Sequence, residues 1–285
     1  MVKYMNNQSP RTKRKNEGIK GSVFTFFSTA SAVGKTVLAV NYAADLAERG
    51  YKVCLADLDL QFGDVCNYLG ITPEKTLFDY YEQEDNQRDT SACITEIKFG
   101  FDVLAAPLEV DEGFIMDAET IVQAINQLRD DYDYVLLDTT TGFTGITLAI
   151  LEQTDVLYLP CVVDFIPSIK DLKIGLETLH KLQFDYQRVR LILNRNKAET
   201  QISTKDVEAL LGRPFQYFIS NDYQGIMQSI KEAKPVVLTE SKNKLADEIS
   251  DMVSEELGEK EESGGLTGWL GSLFKQALPR YSFCE

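Results

Sequence analysis

The sequence predicts an α/β protein built on one doubly wound, mostly parallel sheet and followed by an amphipathic helix. Three observations point there. From residue 22 onward short apolar runs alternate with longer helical ones. The runs are apolar nearly throughout, as strands covered on both faces must be. The intervening segments are long enough to be crossover helices. With 285 residues and 44% apolar side chains the chain can fill one large core or two small ones. A single domain over 21–256 is the economical reading, and no internal repeat is visible.

Residues 1–20 are polar, with Arg11, Lys13, Arg14 and Lys15 clustered. They read as a basic lead-in, either a solvated tail or a weak contact for anionic lipid or a partner. SVFTFFS (22–28) is the first strand, and TVLAVNYAADLAERG (36–50) follows as an amphipathic helix closed by Gly50. YKVCLADLD (51–59), FDVLAAP (101–107), YDYVLLD (132–138), TDVLYLPCVV (154–163), VRLILN (189–194) and PFQYFI (214–219) continue the strand series. Helices are expected near 117–131, 143–152, 166–183, 203–211, 222–232 and 244–256. Residues 257–265, which end in EKEESGG, break the periodicity and read as an acidic linker.

The balance of charges excludes some functions. A net charge of −15 and a pI near 4.6 repel phosphate backbones, so DNA is an unlikely partner. Cysteines at 54, 66, 93, 161 and 284 are odd in number and never form C-x-x-C, which argues against a disulfide framework or a zinc clip and fits a reducing cytoplasm. With no apolar leader and no uninterrupted apolar run of about 18 residues, the chain is expected to be neither exported nor transmembrane.

TASAVGKT (29–36) carries the chemistry. A phosphate-binding loop reads G-x-x-x-x-G-K-[ST], and Gly34, Lys35 and Thr36 supply its second half while Thr29 stands where the first glycine belongs. The loop falls between the first strand and its helix, where ligands of parallel sheets sit. Backbone N–H groups of Ser31, Ala32, Val33 and Gly34 with the helix N-terminus favour phosphate oxygens. Lys35 can reach the β and γ phosphates of ATP, and the Thr36 hydroxyl can ligate Mg²⁺. Two later strands end in aspartate, Asp57-Leu58-Asp59 and Asp138. A carboxylate there can hold Mg²⁺ or orient a water, or it can merely cap the next turn.

The order of loop, D-L-D and strand-end aspartate resembles the MinD/ParA family of deviant Walker A P-loop ATPases, whose loop reads K-G-G-x-G-K-[ST] and whose dimers sandwich two ATP molecules. The likeness spans roughly residues 20–256. Within it, DLDLQFGDVCNYLG (57–70) and SNDYQGIMQSIKEAKPV (220–236) look most like the CpaE/TadZ branch, associated with placing pilus and secretion machinery. The resemblance implies that Asp59 orients the attacking water, while Lys35, the other catalytic residue, holds the phosphates. It makes Asp57 a switch I neighbour, Asp138 a Mg²⁺ ligand with Thr36, and Asn194 a reader of the adenine edge. A receiver-like module often precedes the ATPase in that branch. It is not expected here, because only about 20 residues precede the first strand.

Three departures accompany the match. Ala30 stands where the family's signature lysine reaches across the dimer, Ser31 and Ala32 replace glycines, and Thr140 replaces the proline of D-x-P-x-G. Losing one charge-assisted contact aimed at a transition state costs on the order of 10²–10³ in rate, whereas ground-state binding through Lys35 and the backbone need not suffer. ATP binding with slow or conditional hydrolysis is the expectation.

Beyond the acidic linker, Leu266, Trp269, Leu270, Leu273, Phe274, Ala277 and Leu278 recur at steps of 3 and 1 and wind onto one face of a helix over 266–280. Such a helix can dock on its own domain, on a second subunit, or at the headgroup boundary of a bilayer; Trp with Leu and Phe, tethered by a linker, favours the last. One copy should bind weakly, and a homodimer would multiply its avidity. Two functions follow. One is an ATP-dependent switch, peripheral on the inner membrane surface, that positions a pilus or secretion assembly. The other is a non-hydrolysing nucleotide-binding scaffold. A flagellar-placement protein is a close rival of the first.

Overall fold

In the computed structural model, residues 20–196, 202–239 and 243–259 are described. The expected membrane-targeting helix over 266–280, nearly all of the basic lead-in and most of the acidic linker lie outside them. Within the described residues the strands are β1 (Ser22–Ser28), β2 (Val53–Leu58), β3 (Ile94–Glu96), β4 (Asp102–Leu104), β5 (Tyr134–Thr141), β6 (Val156–Cys161), β7 (Val189–Asn196) and β8 (Tyr217–Ser220). The helices are α1 (Lys35–Glu48), α2 (Val65–Leu69), α3 (Leu77–Tyr81), α4 (Val110–Ile115), α5 (Ala118–Asp131), α6 (Gly145–Gln153), α7 (Ile166–Lys181), α8 (Thr204–Leu211), α9 (Tyr223–Lys231) and α10 (Lys244–Glu256).

The strands form one sheet in the order β3-β4-β2-β5-β1-β6-β7-β8, parallel except for the β3–β4 pair. Side chains of a strand alternate between faces, so Val53 and Leu55 join the cluster under α1 and α10 while Cys54 and Ala56 join the one under α5. Further along the sheet, Leu157, Leu159, Leu191 and Leu193 close the second face against α7. Both faces are therefore buried, which explains why the strands lack a polar alternation. The chain crosses from β1 outward to β2, returns to β5, and then continues on the other side with β6. That reversal opens a crevice at the carboxyl ends of β5, β1 and β6.

Helix α1 departs from its expected amphipathic character. Every residue from Leu38 to Leu46 is buried, because the sheet lies on one side and α10 with the Val236–Leu238 turn on the other. Its two buried polar side chains are satisfied. Asn41 donates to the Val37 carbonyl and the Tyr68 hydroxyl and accepts from the Val237 N–H, and Asp45 pairs with Arg49 at 2.6 Å. The helix ends as Gly50 predicts. Gly50 sits at φ 88°, its N–H donates to Ala47 O, and Tyr51 N–H donates to Leu46 O, the double closure of a Schellman turn. Arg49 also ties the end of α10 to this corner through Ser250 and Glu259.

Short elements escape the periodicity. Helices α2, α3 and α4 and strand β3 are too brief to show a period, and two of them rest on local polar chemistry: Thr76 and Asp79 form a reciprocal cap for α3, as Glu109 and Glu112 do for α4. Strand β5 runs on to Thr141, past the expected end at 138. Among the described residues no helix is long and apolar enough to cross a membrane.

Candidate functional site

The loop 29–34 leaves β1 at the switch point and enters α1. Gly34 takes φ 91°, and a Cβ there would lie 2.4 Å from Asn194 Nδ2, so glycine is required on two counts. Ser31 and Ala32 are exposed and Val33 is buried. Ala32 occupies the left-handed region at φ 58°, a backbone state that glycine enters freely. Ala30 is buried, its methyl in a small cluster with Val33 and Val162. An apolar contact thus occupies the position at which the resemblance implies a lysine.

Lys35 Nζ lies 3.2 Å from Ser28 Oγ and 3.1 Å from Thr141 Oγ1. A register irregularity in the β1–β5 pair brings Ser28 level with Thr141, which lets both hydroxyls converge on the ammonium. Burial lowers the Lys35 pKa, opposed by the nearby charges of Asp138 and Asp59. Neither Ser28 nor Thr141 was singled out in the sequence. A polar residue ending an otherwise apolar strand beside the loop is the signal that could have found them.

Thr36 Oγ1 donates to Asp138 Oδ2 at 2.5 Å. Asp138 is 1% exposed, and its Oδ1 is buried with no hydrogen-bond partner. Burial pushes this carboxyl up to about 7, against the lowering effects of Thr36 and Lys35. Asp57 stands level with Asp138 on the adjacent strand and is also buried. Its pKa is raised, first by burial and then by the Asp138 charge. Asp57, expected as the switch I neighbour of Asp59, accepts with its oxygens from Asp59 N–H and Val65 N–H, so it shapes the turn that carries Asp59 and starts α2. Gly63 must be small there, since a Cβ would lie 2.6 Å from Asp57 Oδ2.

Asp59 itself is half-buried and lines a cavity of about 310 Å³ with Thr140, Thr144, Phe114, Met116 and Ile146. Gly142, at φ 88°, donates its N–H to Ser28 O and ties the following turn to β1. Asn194, expected at the adenine edge, is 8% exposed; its Nδ2 donates to Val33 O at 2.8 Å and its Oδ1 accepts from Arg195 N–H. In this structure it holds the loop. Arg195 Nη2 donates to Ala32 O at 2.9 Å, a contact that sequence reading missed.

The unpartnered Asp138 oxygen beside a threonine hydroxyl and a lysine fits Mg²⁺ with a polyphosphate. Among the described residues no group of three or more His, Cys, Asp or Glu side chains could hold a metal. A divalent ion here would draw its other oxygens from nucleotide and water, as Mg²⁺ commonly does.

A phosphate loop at the switch point of a parallel sheet, with Lys, Thr and a strand-borne Asp converging, defines a P-loop NTPase. Comparison with known proteins narrows the class. A family model described as an AAA domain matches residues 22–189. The septum site-determining protein MinD of Helicobacter pylori is 30% identical over 240 residues, covering 76% of this chain and 84% of that protein. A ParA family ATPase from Chlorobium tepidum superposes with a TM-score of 0.74 at 23% identity, covering 81% of this chain and 98% of that one. MinD of Pyrococcus horikoshii, solved with Mg-ADP, gives 0.73 at 21% identity over 85% of this chain and 99% of that one. The chain belongs to the MinD/ParA-type P-loop ATPases, proteins of spatial positioning and division.

Proposed function

We propose that this protein binds Mg·ATP and acts as a dimeric spatial switch that positions a pilus or secretion assembly at the membrane. The observation that carries the nucleotide reading is the buried, partnerless Asp138 oxygen beside Thr36 and Lys35. Bound there, Mg²⁺ and ATP would supply charge neutralisation and a transferable phosphoryl group. Lys35 and the loop N–H groups would hold the phosphates, Thr36 and Asp138 the cation, and Asp59 would orient a water.

The carboxyl edge of the sheet supports the dimer. Phe62, Leu108, Phe114, Phe165 and Ile166, each more than half exposed, follow the ends of β2, β4 and β6 around the loop. So many large apolar side chains on one rim favour burial against another protein surface. The resemblance of 57–70 and 220–236 to the CpaE/TadZ branch supports a pilus or secretion role. The apolar stripe from Leu266 to Phe274 supports membrane attachment. With Ala30 in place of the lysine, slow hydrolysis follows.

The test reads mass and membrane binding together. Light scattering should show a doubling of mass with Mg·ATP but not with Mg·ADP, and the ATP form should pellet more strongly with anionic vesicles. A monomer under every nucleotide condition, absent from the vesicle pellet, would reject the switch and favour the scaffold.

A further inference from the structure

We propose that Arg195 is a positioning residue, which with Asn194 latches the phosphate loop into the shape that binds nucleotide and does the work that a glycine at position 32 would otherwise do. This inference rests on the ATP-binding reading above. Two non-glycine residues in the left-handed region, Ala32 at φ 58° and Arg195 at φ 51°, are joined by the 2.9 Å bond from Arg195 Nη2 to Ala32 O. Strained backbone persists only where its surroundings over-determine it. Here the surroundings are two consecutive residues at the end of β7, which hold two consecutive carbonyls of the loop: Arg195 that of Ala32, Asn194 that of Val33.

The consequence is directional. In a trans peptide the N–H points opposite to the carbonyl, and among the described residues no peptide is cis. Drawing the carbonyls of Ala32 and Val33 toward β7 therefore turns the N–H groups of Val33 and Gly34 the other way, away from β7. Those are the donors a phosphate would meet. Asn194 is further held by its own Oδ1, which accepts from Arg195 N–H, so the two latch residues brace one another. The guanidinium bonds a neutral carbonyl at the back of the loop, a place suited to shaping it.

The test is a double-mutant cycle between positions 32 and 195, read twice. Mg·ATP affinity is measured by retention of labelled nucleotide on wild type, Arg195→Ala, Ala32→Gly and the double variant. Unfolding midpoints are measured on the same four proteins without nucleotide. Arg195→Ala should weaken ATP about tenfold, equivalent to about 1.4 kcal/mol. With Ala32→Gly already present, the same change should cost less than about threefold, because glycine enters φ > 0 without help. The midpoints should show the same non-additivity. Equal tenfold losses in both backgrounds would mean that the guanidinium contacts the nucleotide itself, and no loss would mean that the bond is incidental; either overturns the latch. Wild type that retains no ATP would defeat the parent reading, and additive midpoints would then overturn the latch independently.

Discussion

Asp138→Asn should make the nucleotide-free protein more stable, although it removes a residue placed at the centre of the site. Burial holds this carboxyl at about 7, against an ordinary aspartate value of about 3.9. A carboxyl whose folded pKa lies above its unfolded one contributes its full stability at low pH. It loses that contribution as pH rises from about 4 through about 7, so the penalty is complete by about pH 8. A gap of about three pH units corresponds to about 4 kcal/mol. Asparagine avoids the charge and can still accept the Thr36 hydroxyl. Its amide N–H groups would face the place where Oδ1 has no partner, which costs about 1–3 kcal/mol. The net expectation is a gain of about 1–3 kcal/mol at about pH 8 that shrinks toward zero or reverses by about pH 4. Urea unfolding across this range reads it directly. A variant less stable than wild type at the higher pH, or an advantage that does not fall with pH, would refute the reasoning. Mg·ATP should stabilise wild type and leave the variant nearly unmoved.

Three further outcomes follow from other residues. Gly34→Ala forces a Cβ to 2.4 Å from Asn194 Nδ2 at φ 91°; thermal unfolding should show a loss of about 2–3 kcal/mol from backbone strain and the displaced hydrogen bond, with ATP retention abolished. Phe165→Glu places a charge on the apolar rim, so the ATP-dependent doubling of mass should vanish in light scattering while the monomer still retains nucleotide. Trp269→Glu should reduce vesicle pelleting by at least several-fold without changing ATP retention, since it alters only the expected lipid-facing stripe.

The long elements were legible because each fills a buried layer and so carries a continuous signal. The strand from Ser22 and the helix closed by Gly50 are found within a residue or two of their expected bounds. The loop, its lysine and threonine, and Asp138 were legible from order along the chain, and they converge in space. What sequence could not convey was the outer wall of α1. Asn41 and Asp45 interrupt its apolar run and suggest a wet face, yet α2, α10 and the 236–238 turn supply their partners or cover them. Asp57 was ambiguous for a related reason: a strand-end carboxylate looks the same in sequence whether it faces a phosphate or caps a turn, and the N–H groups of Asp59 and Val65 that it holds become visible only in the fold. Arg195 left no signal, because its partner is a main-chain oxygen 163 residues away.

The account rests on nucleotide capture by a loop with Thr29 where a phosphate-binding loop has its first glycine and with the apolar Ala30 beside it. Retention of labelled ATP with Mg²⁺, measured together with ADP release on wild type and Lys35→Ala, tests this most directly. Retention by wild type that is lost in Lys35→Ala, with slow release of ADP, is the predicted result. Equal retention by both proteins, or by neither, would contradict the assignment of the site.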